Sequence, residues 1–341
     1  MDKACLYPRN RASNRRRLGI PCTVCALCLY FTSCVPHEQE TIAVIPRTEG
    51  IPLWDSSHAG AEAAADRTGA SLYWRAPTRE DDIETQISLV EHVAQGNYQG
   101  LVLAPDQALS LISPVRLVLS RRIPTVIIGS PLPIPPGENL FYILNDDEEG
   151  GRMAALRVAN LVHDHGTVAI LGIDPDVTGI MIRSHAIEKC LAEDHPGIQI
   201  VERRMGTFNV PHEQQVAEDI LKAHPNLDVI VALMSTTVDG ALSAIIAAPQ
   251  KRSVRVIGFD SDLLPLLDDR TNLDSVIQED TRAMGQQAVE LIHAKLIGQP
   301  VTAATRLQPK LITRENVHSA DVRQMFSLDW QFGHWRWSPI R

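Results

Sequence analysis

Short apolar runs of strand length alternate along this chain with longer segments whose apolar residues return every three or four positions. The runs are Thr41–Ile45, Ser71–Trp74, a strand within Asn97–Pro105, Thr125–Ile128, Leu140–Leu144, Val168–Leu171, Ile198–Glu202, Val229–Leu233, Val254–Phe259, Ser275–Gln278 and Leu307–Thr313. Many are apolar at consecutive positions, the pattern of a strand buried on both faces of a parallel sheet. Between them, helices are expected over His58–Thr68, Asp82–Ala94, Leu109–Ser120, Asn145–Leu161, Ile182–Leu191, His212–Ala223, Asp239–Ile246 and Arg282–Leu296. In the first of these, Ser56 or Ser57 is the expected cap, after a loop over Pro46–Asp55. Strand–helix alternation on this scale calls for an α/β fold with parallel sheets covered on both faces. Because the alternation runs through twice, two doubly wound lobes are expected in place of one long sheet.

The runs end in small or polar residues: GLVLAPD at Gly100–Asp106, VIIGS at Val126–Ser130, VAILGID at Val168–Asp174 and VIGFD at Val256–Asp260. Open α/β sheets bind ligands outside the carboxyl ends of their strands. Those ends are therefore expected to face one cleft, with Asp260 at the edge of its strand. The acidic run Asn145–Glu149 reads as the capped, dipole-complementing start of a helix.

The 341 residues carry a net charge of -9, and 44% of them are hydrophobic. That composition is an ordinary globular one and speaks against a nucleic-acid partner. The charge is unevenly placed. Lys3, Arg9, Arg11 and Arg15–Arg17 lie in the first 33 residues beside one acid, Asp2, leaving 26 basic against 40 acidic residues beyond them, a net -14. Arg15–Arg17 followed by the largely apolar Leu18–Phe31 has the form of an export signal. It ends in Phe31-Thr32-Ser33-Cys34, which resembles a bacterial lipobox. That resemblance implies lipidation of Cys34 and a membrane anchor, with residues 34–40 as a tether. Five of the six cysteines lie at or before this point, and Cys190 is expected to be a buried helix residue.

No Walker loop, nucleophile elbow or dinucleotide fingerprint is present, so neither an enzyme nor a cofactor is expected. His163-Asp164-His165 and Cys22/Cys25/Cys28 lack the further ligands a metal site needs; the first reads as a solvated helix end. The tail holds Phe326, Trp330, Phe332, Trp335 and Trp337. It is read either as packed on its own lobe or without fixed structure, or as a docking surface for another protein.

Over Thr41 to about Asn316 the chain resembles the type I periplasmic substrate-binding proteins of the ribose-binding group, a family of sugar ABC-transporter receptors related to the ligand-binding core of the lactose repressor. The stretches that carry the resemblance are Pro52-Leu53-Trp54, GLVLAPD, IPTVIIGS (Ile123–Ser130), Arg183 with Ala186, GTFN (Gly206–Asn209), DGALSAI (Asp239–Ile245), VIGFD, SVIQ (Ser275–Gln278), MGQQAVELI (Met284–Ile292), KLIGQP (Lys295–Pro300) and LITREN (Leu311–Asn316). The resemblance implies two lobes joined by a three-crossover hinge, near Asn145, Gln278 and Ala303, with a ligand enclosed between them. The expected lobes are 41–144 plus 279–303 and 145–278 plus 304–317, followed by the tail 318–341.

It also implies a ligand set. Trp54 and Phe208 would be aromatic walls, Arg183 a donor to sugar oxygens, and Ser235, Asp260 and Gln278 polar partners of hydroxyls. For each a plainer role stays open: core residues for Trp54 and Phe208, an exposed helix arginine, a helix cap at Asp260, and a hinge residue at Gln278. Gly129-Ser130 and Met234-Ser235 stand where the ribose group has charged or amide-bearing pairs. The expected ligand is thus a different sugar, a polyol or a modified ligand. The implied protein is a monomeric, lipid-anchored extracytoplasmic receptor serving an ABC importer. A receptor for a membrane sensor is the alternative, and a repressor core is disfavoured because no helix-turn-helix precedes it.

Overall fold

A computed structural model describes residues 40–326, apart from 80, 249–252, 261–262 and 268–270. The leader, Cys34 and the tail tryptophans lie outside the described residues.

The first lobe is built on strands β1 (Thr41–Ile45), β2 (Ser71–Trp74), β3 (Gly100–Leu103), β4 (Thr125–Gly129), β5 (Leu140–Asn145) and β11 (Ala304–Leu307), in the order β11-β5-β4-β3-β1-β2. All the pairings in this sheet are parallel. The second lobe uses β6 (Gly166–Ile173), β7 (Ile198–Met205), β8 (Val229–Ala232), β9 (Arg255–Phe259), β10 (Leu273–Gln278) and β12 (Lys310–Thr313), in the order β12-β10-β9-β8-β6-β7. Here only the edge strand β12 runs antiparallel.

Consecutive apolar residues do what the sequence pattern requires. In β1, Ala43 and Ile45 enter the core on one face while Ile42 and Val44 enter the core on the other. In the second lobe, Val256 and Val276 face one core, and Ile257, Phe259 and Ile277 face the opposite one. Helices α1 (Pro52–Thr68) and α8 (Thr281–Leu296) cover one face of the first sheet, and α2 (Ile83–Gln95) and α3 (Ile112–Ser120) cover the other. Helices α4 (Asp147–Val162) and α5 (Thr178–Asp194) pack together on one face of the second sheet. The pair α6 (Val210–Ala223) and α7 (Ser235–Ala247) covers its opposite face. Cys190 is buried in α5, and His163 forms the left-handed end of α4. A short α9 (Ala320–Met325) closes the described chain, with Phe326 packed against the second lobe's core.

The contact between α1 and α8 is close because glycines sit at it. A Cβ on Gly60 would lie 1.9 Å from the Arg282 carbonyl oxygen, and one on Gly285 would lie 2.1 Å from that of Ser57. Backbone therefore meets backbone, and any side chain at either position would force the helices apart.

Several expected bounds change: α5 and α7 begin four residues early, at Thr178 and Ser235, and two further changes are larger. Helix α1 begins at Pro52, not near His58: proline occupies its first turn, where a missing N–H costs nothing, and Ser56 and Ser57 are buried inside the helix instead of capping it. The run expected as one strand over Leu307–Thr313 is two strands in two lobes. Because Ala304–Leu307 pairs with β5, the third crossover falls at Gln308-Pro309 and not near Ala303. The first two crossovers follow β5 and β10. Asp146 ties the first to the third: its N–H donates to Leu307 O at 2.9 Å, and its Oδ2 accepts from Gln308 Nε2 at 2.8 Å.

Candidate functional site

Strands β1, β3, β4 and β5 of the first sheet and β7, β8, β9 and β10 of the second lead at their carboxyl ends into one cavity between the sheets, partly open to solvent. From the first lobe, the early start of α1 places Ile51, Leu53 and Trp54 in its wall, with Arg47 after β1 and Gly129-Ser130 at the end of β4. The second lobe contributes Ile180 and Arg183 from α5, Phe208 after β7, Met234-Ser235 at the start of α7, and Asp260 after β9. Asn145 and Glu279 line it from the crossovers.

Trp54, Arg183, Phe208, Ser235 and Asp260 are thus brought together. Gln278 is not among the lining residues: it is buried at the end of β10, and Glu279 forms the wall there. Trp54 is at once a core residue, 4% exposed, and part of the cavity wall.

Arg183 is the charged centre. Its Nε donates to Asp147 Oδ1 at 2.6 Å and its Nη1 to Asp260 Oδ2 at 2.7 Å, while Nη2 pairs with Glu279. The guanidinium also stacks over the Phe259 ring, 4.8 Å from its centroid. All four charged side chains are at least nine-tenths buried. Asp260 sits in the left-handed region, φ 49°, an uncommon conformation for a residue with a Cβ. Its Oδ1 accepts from the Glu279 N–H at 3.0 Å, so Asp260 also fixes the second crossover.

Burial raises the pKa of Asp147 and of Asp260 above the usual carboxylate value of 3.8, against the pull of Arg183. Burial opposes the charge on Arg183 too, but Asp260 and Asp147 outweigh it and keep its pKa above normal.

The walls are braced by polar groups the sequence did not single out. Glu213, 1% exposed, accepts from the Thr207 N–H at 2.6 Å and from Thr237 Oγ1 at 2.9 Å, which holds the loop presenting Phe208 against α7. Gln86, fully buried, donates to Pro46 O and Ala104 O and accepts from the Asp106 N–H, which clasps the ends of β1 and β3. Arg47 bridges the lobes: its Nε lies 3.2 Å from Asp106 Oδ1 and its guanidinium 5.1 Å from the centroid of Phe208. Among the described residues, Trp54 Nε1, Asn145 Oδ1 and Gln278 Oε1 are buried polar atoms with no hydrogen-bond partner. None of the described His, Cys, Asp and Glu side chains form a group able to hold a metal ion.

The profile of the periplasmic binding protein domain matches residues 42–300, which takes in five strands of each sheet, all but β11 and β12, and the first two crossovers. The chain belongs to this family. Within it, the binding protein is 24% identical over 277 residues to the ribose import binding protein of Bacillus subtilis, covering 80% of this chain and 88% of that one. It is 25% identical over 225 residues to the D-allose-binding periplasmic protein of Escherichia coli, covering 64% and 72%. Its fold is that of an ABC-transporter solute-binding protein from Agrobacterium vitis bound with α-D-tagatopyranose, with a TM-score of 0.78 at 22% identity, covering 84% of this chain and 99% of that one.

The raised carboxylates give the binding protein a defined response to pH. A carboxyl whose folded pKa exceeds its unfolded one binds protons better when folded, so its stabilising contribution is full below pH 3.8 and is lost as pH rises through the raised value. Asp260→Asn removes one such group. The variant's stability relative to the parent should therefore climb as pH increases through this window, measured as urea midpoints at a series of pH values. A difference that stays flat or falls with pH contradicts the assignment.

Proposed function

We propose that this protein is a lipid-anchored extracytoplasmic receptor that encloses a sugar or sugar-like ligand between its lobes and delivers it to an ABC importer. The observation that carries the reading is the cavity itself. Aromatic walls from opposite lobes, Trp54 and Phe208, stand across from a buried charged floor of Arg183, Asp260 and Glu279. A flat ring offers area to the apolar face of a sugar, and fixed donors and acceptors take its hydroxyls. Membership of the binding-protein family and the sugars named for its relatives support the same class of ligand. The task asked of such a site is enclosure and release, and hinge closure about the crossovers supplies both.

Trp54 and Asp260 are the residues on which affinity depends, with Arg183, Phe208 and Ser235 completing the set. Gln278 acts at the hinge behind Glu279. A thermal-shift screen of the purified protein against pentoses, hexoses, disaccharides and polyols tests the reading. A cognate ligand at about 100 times its dissociation constant adds about 2.7 kcal/mol of stability. With that ligand, Trp54→Ala should weaken binding by about tenfold or more, on the order of 1.4 kcal/mol, and remain folded. Unchanged affinity removes the proposed wall from the site.

The anchor is tested separately. Cys34→Ala should move the exported protein from the membrane fraction to the soluble one. Membrane retention of the variant would remove the lipid at Cys34 from the proposal.

A further inference from the structure

The charged floor of the cleft is out of balance. Three carboxylates, Asp147, Asp260 and Glu279, share one guanidinium, that of Arg183, and all four side chains are buried. The nearest additional positive charges do not restore neutrality. Arg306 acts on Asp147 through space, and Arg47, which lines the cavity and acts on Asp260, brings its own partner Asp106, so four carboxylates stand against two paired guanidinium groups.

The region around Arg47 leans the same way. Asp81 and Asp106 from the first lobe and Asp174 and Asp176 from the second lie close enough to influence one another, with Arg47 the positive charge among them. Burial first, and neighbouring carboxylates after it, raise the pKa of Asp81 and Asp174. The surroundings of the cleft thus carry more negative than positive charge, and such an excess concentrates ligands of the opposite sign.

The unpartnered atoms sharpen the picture. Asn145, 6% exposed, lines the cavity, and its Oδ1 is an acceptor with no donor. It is a further acceptor on the side of Asp260 and Glu279, while the unpartnered donors, Trp54 Nε1 and Arg47 Nη2, belong to the first lobe's wall. The corner of Asp260, Glu279 and Asn145 suits a group that donates and carries positive charge, and the donors opposite suit hydroxyls. Buried carboxylates in excess are costly unless a cation or a proton joins them. An ammonium supplies three donors and one positive charge, and its hydrogen bonds to carboxylates are of the strong, charge-assisted kind.

Resting on the reading of the cleft as a sugar-type site, we propose that its ligand carries a cationic amino group, as in an amino sugar or aminopolyol, with the ammonium seated against Asp260 and Glu279. The aromatic walls then take the carbon skeleton, and Trp54 Nε1 donates to a hydroxyl. The same floor rejects sugar acids, whose carboxylate would meet like charge.

Calorimetric titration of the purified protein with matched sets tests this: D-glucosamine, D-galactosamine and D-mannosamine, their neutral parents and the corresponding uronic acids, together with aminopolyols and their parent polyols. An amino compound should bind about tenfold or more tightly than its neutral parent, and the uronic acid should not bind. Glu279→Gln keeps the shape of the side chain. It should reduce the preference for the amino compound over its neutral parent by about tenfold, its melting temperature reporting that it is folded. A neutral sugar that binds as tightly as its amino derivative overturns the cation proposal and leaves the sugar-receptor reading standing. Equal loss of both ligands in Glu279→Gln also overturns it. Binding of no member of any set contradicts both.

Discussion

One buried guanidinium holds the working part of this molecule together. Arg183 reaches from α5 to the first residue of α4, to the end of β9 and to the residue that follows β10. Those three points are the entry of the chain into the second lobe, the cleft edge of that lobe's sheet, and the chain's exit toward the first lobe. A planar group with five donors can satisfy several carboxylates at once in fixed directions, which a lysine cannot do. The price of burying so much charge is that no member of the cluster can be removed alone without stranding the others. The floor of the cavity and two of the crossovers are thereby the same piece of structure.

Around that centre the two lobes contribute unlike surfaces. The first lobe offers Trp54, held by the core beneath it, and Arg47, aimed by Asp106 and the clasp of Gln86. The second offers Phe208 on a loop that Glu213 pins from behind, and the acidic floor. Arg47 over the Phe208 ring is a contact that exists only while the lobes face each other closely. The two lobes therefore touch through a contact made on the cavity's own walls.

Most of the strands were legible as apolar runs because burial on both faces removes the alternation that hides a strand's ends in the noise of a half-exposed sheet. What failed did so for local physical reasons. Pro52 reads as a loop residue, yet a proline at the first turn of a helix loses nothing, and moving the start of α1 is what brings Trp54 to the cleft. The run from Leu307 to Thr313 looks continuous because both halves are strands; only pairing partners, which lie in different sheets, separate them at Gln308-Pro309. Asp147 reads as an ordinary helix-start acid. Asp146 does the capping, and Asp147 turns inward to Arg183. Glu279 was missed for its neighbour Gln278. A strand's last residue and the next point to opposite sides, so a shift of one position decides which of them meets the cavity.

The central claim is that Arg183 owes its importance to the three carboxylates it gathers. Urea denaturation of Arg183→Met in two backgrounds tests it most directly: the parent protein, and a variant carrying Asp147→Asn, Asp260→Asn and Glu279→Gln. In the parent, losing the guanidinium strands buried charge and should cost about 3–5 kcal/mol. With the carboxylates neutral, the same substitution should cost little or even stabilise. An equal cost in both backgrounds would mean that Arg183 matters for its packing alone, and would contradict the account.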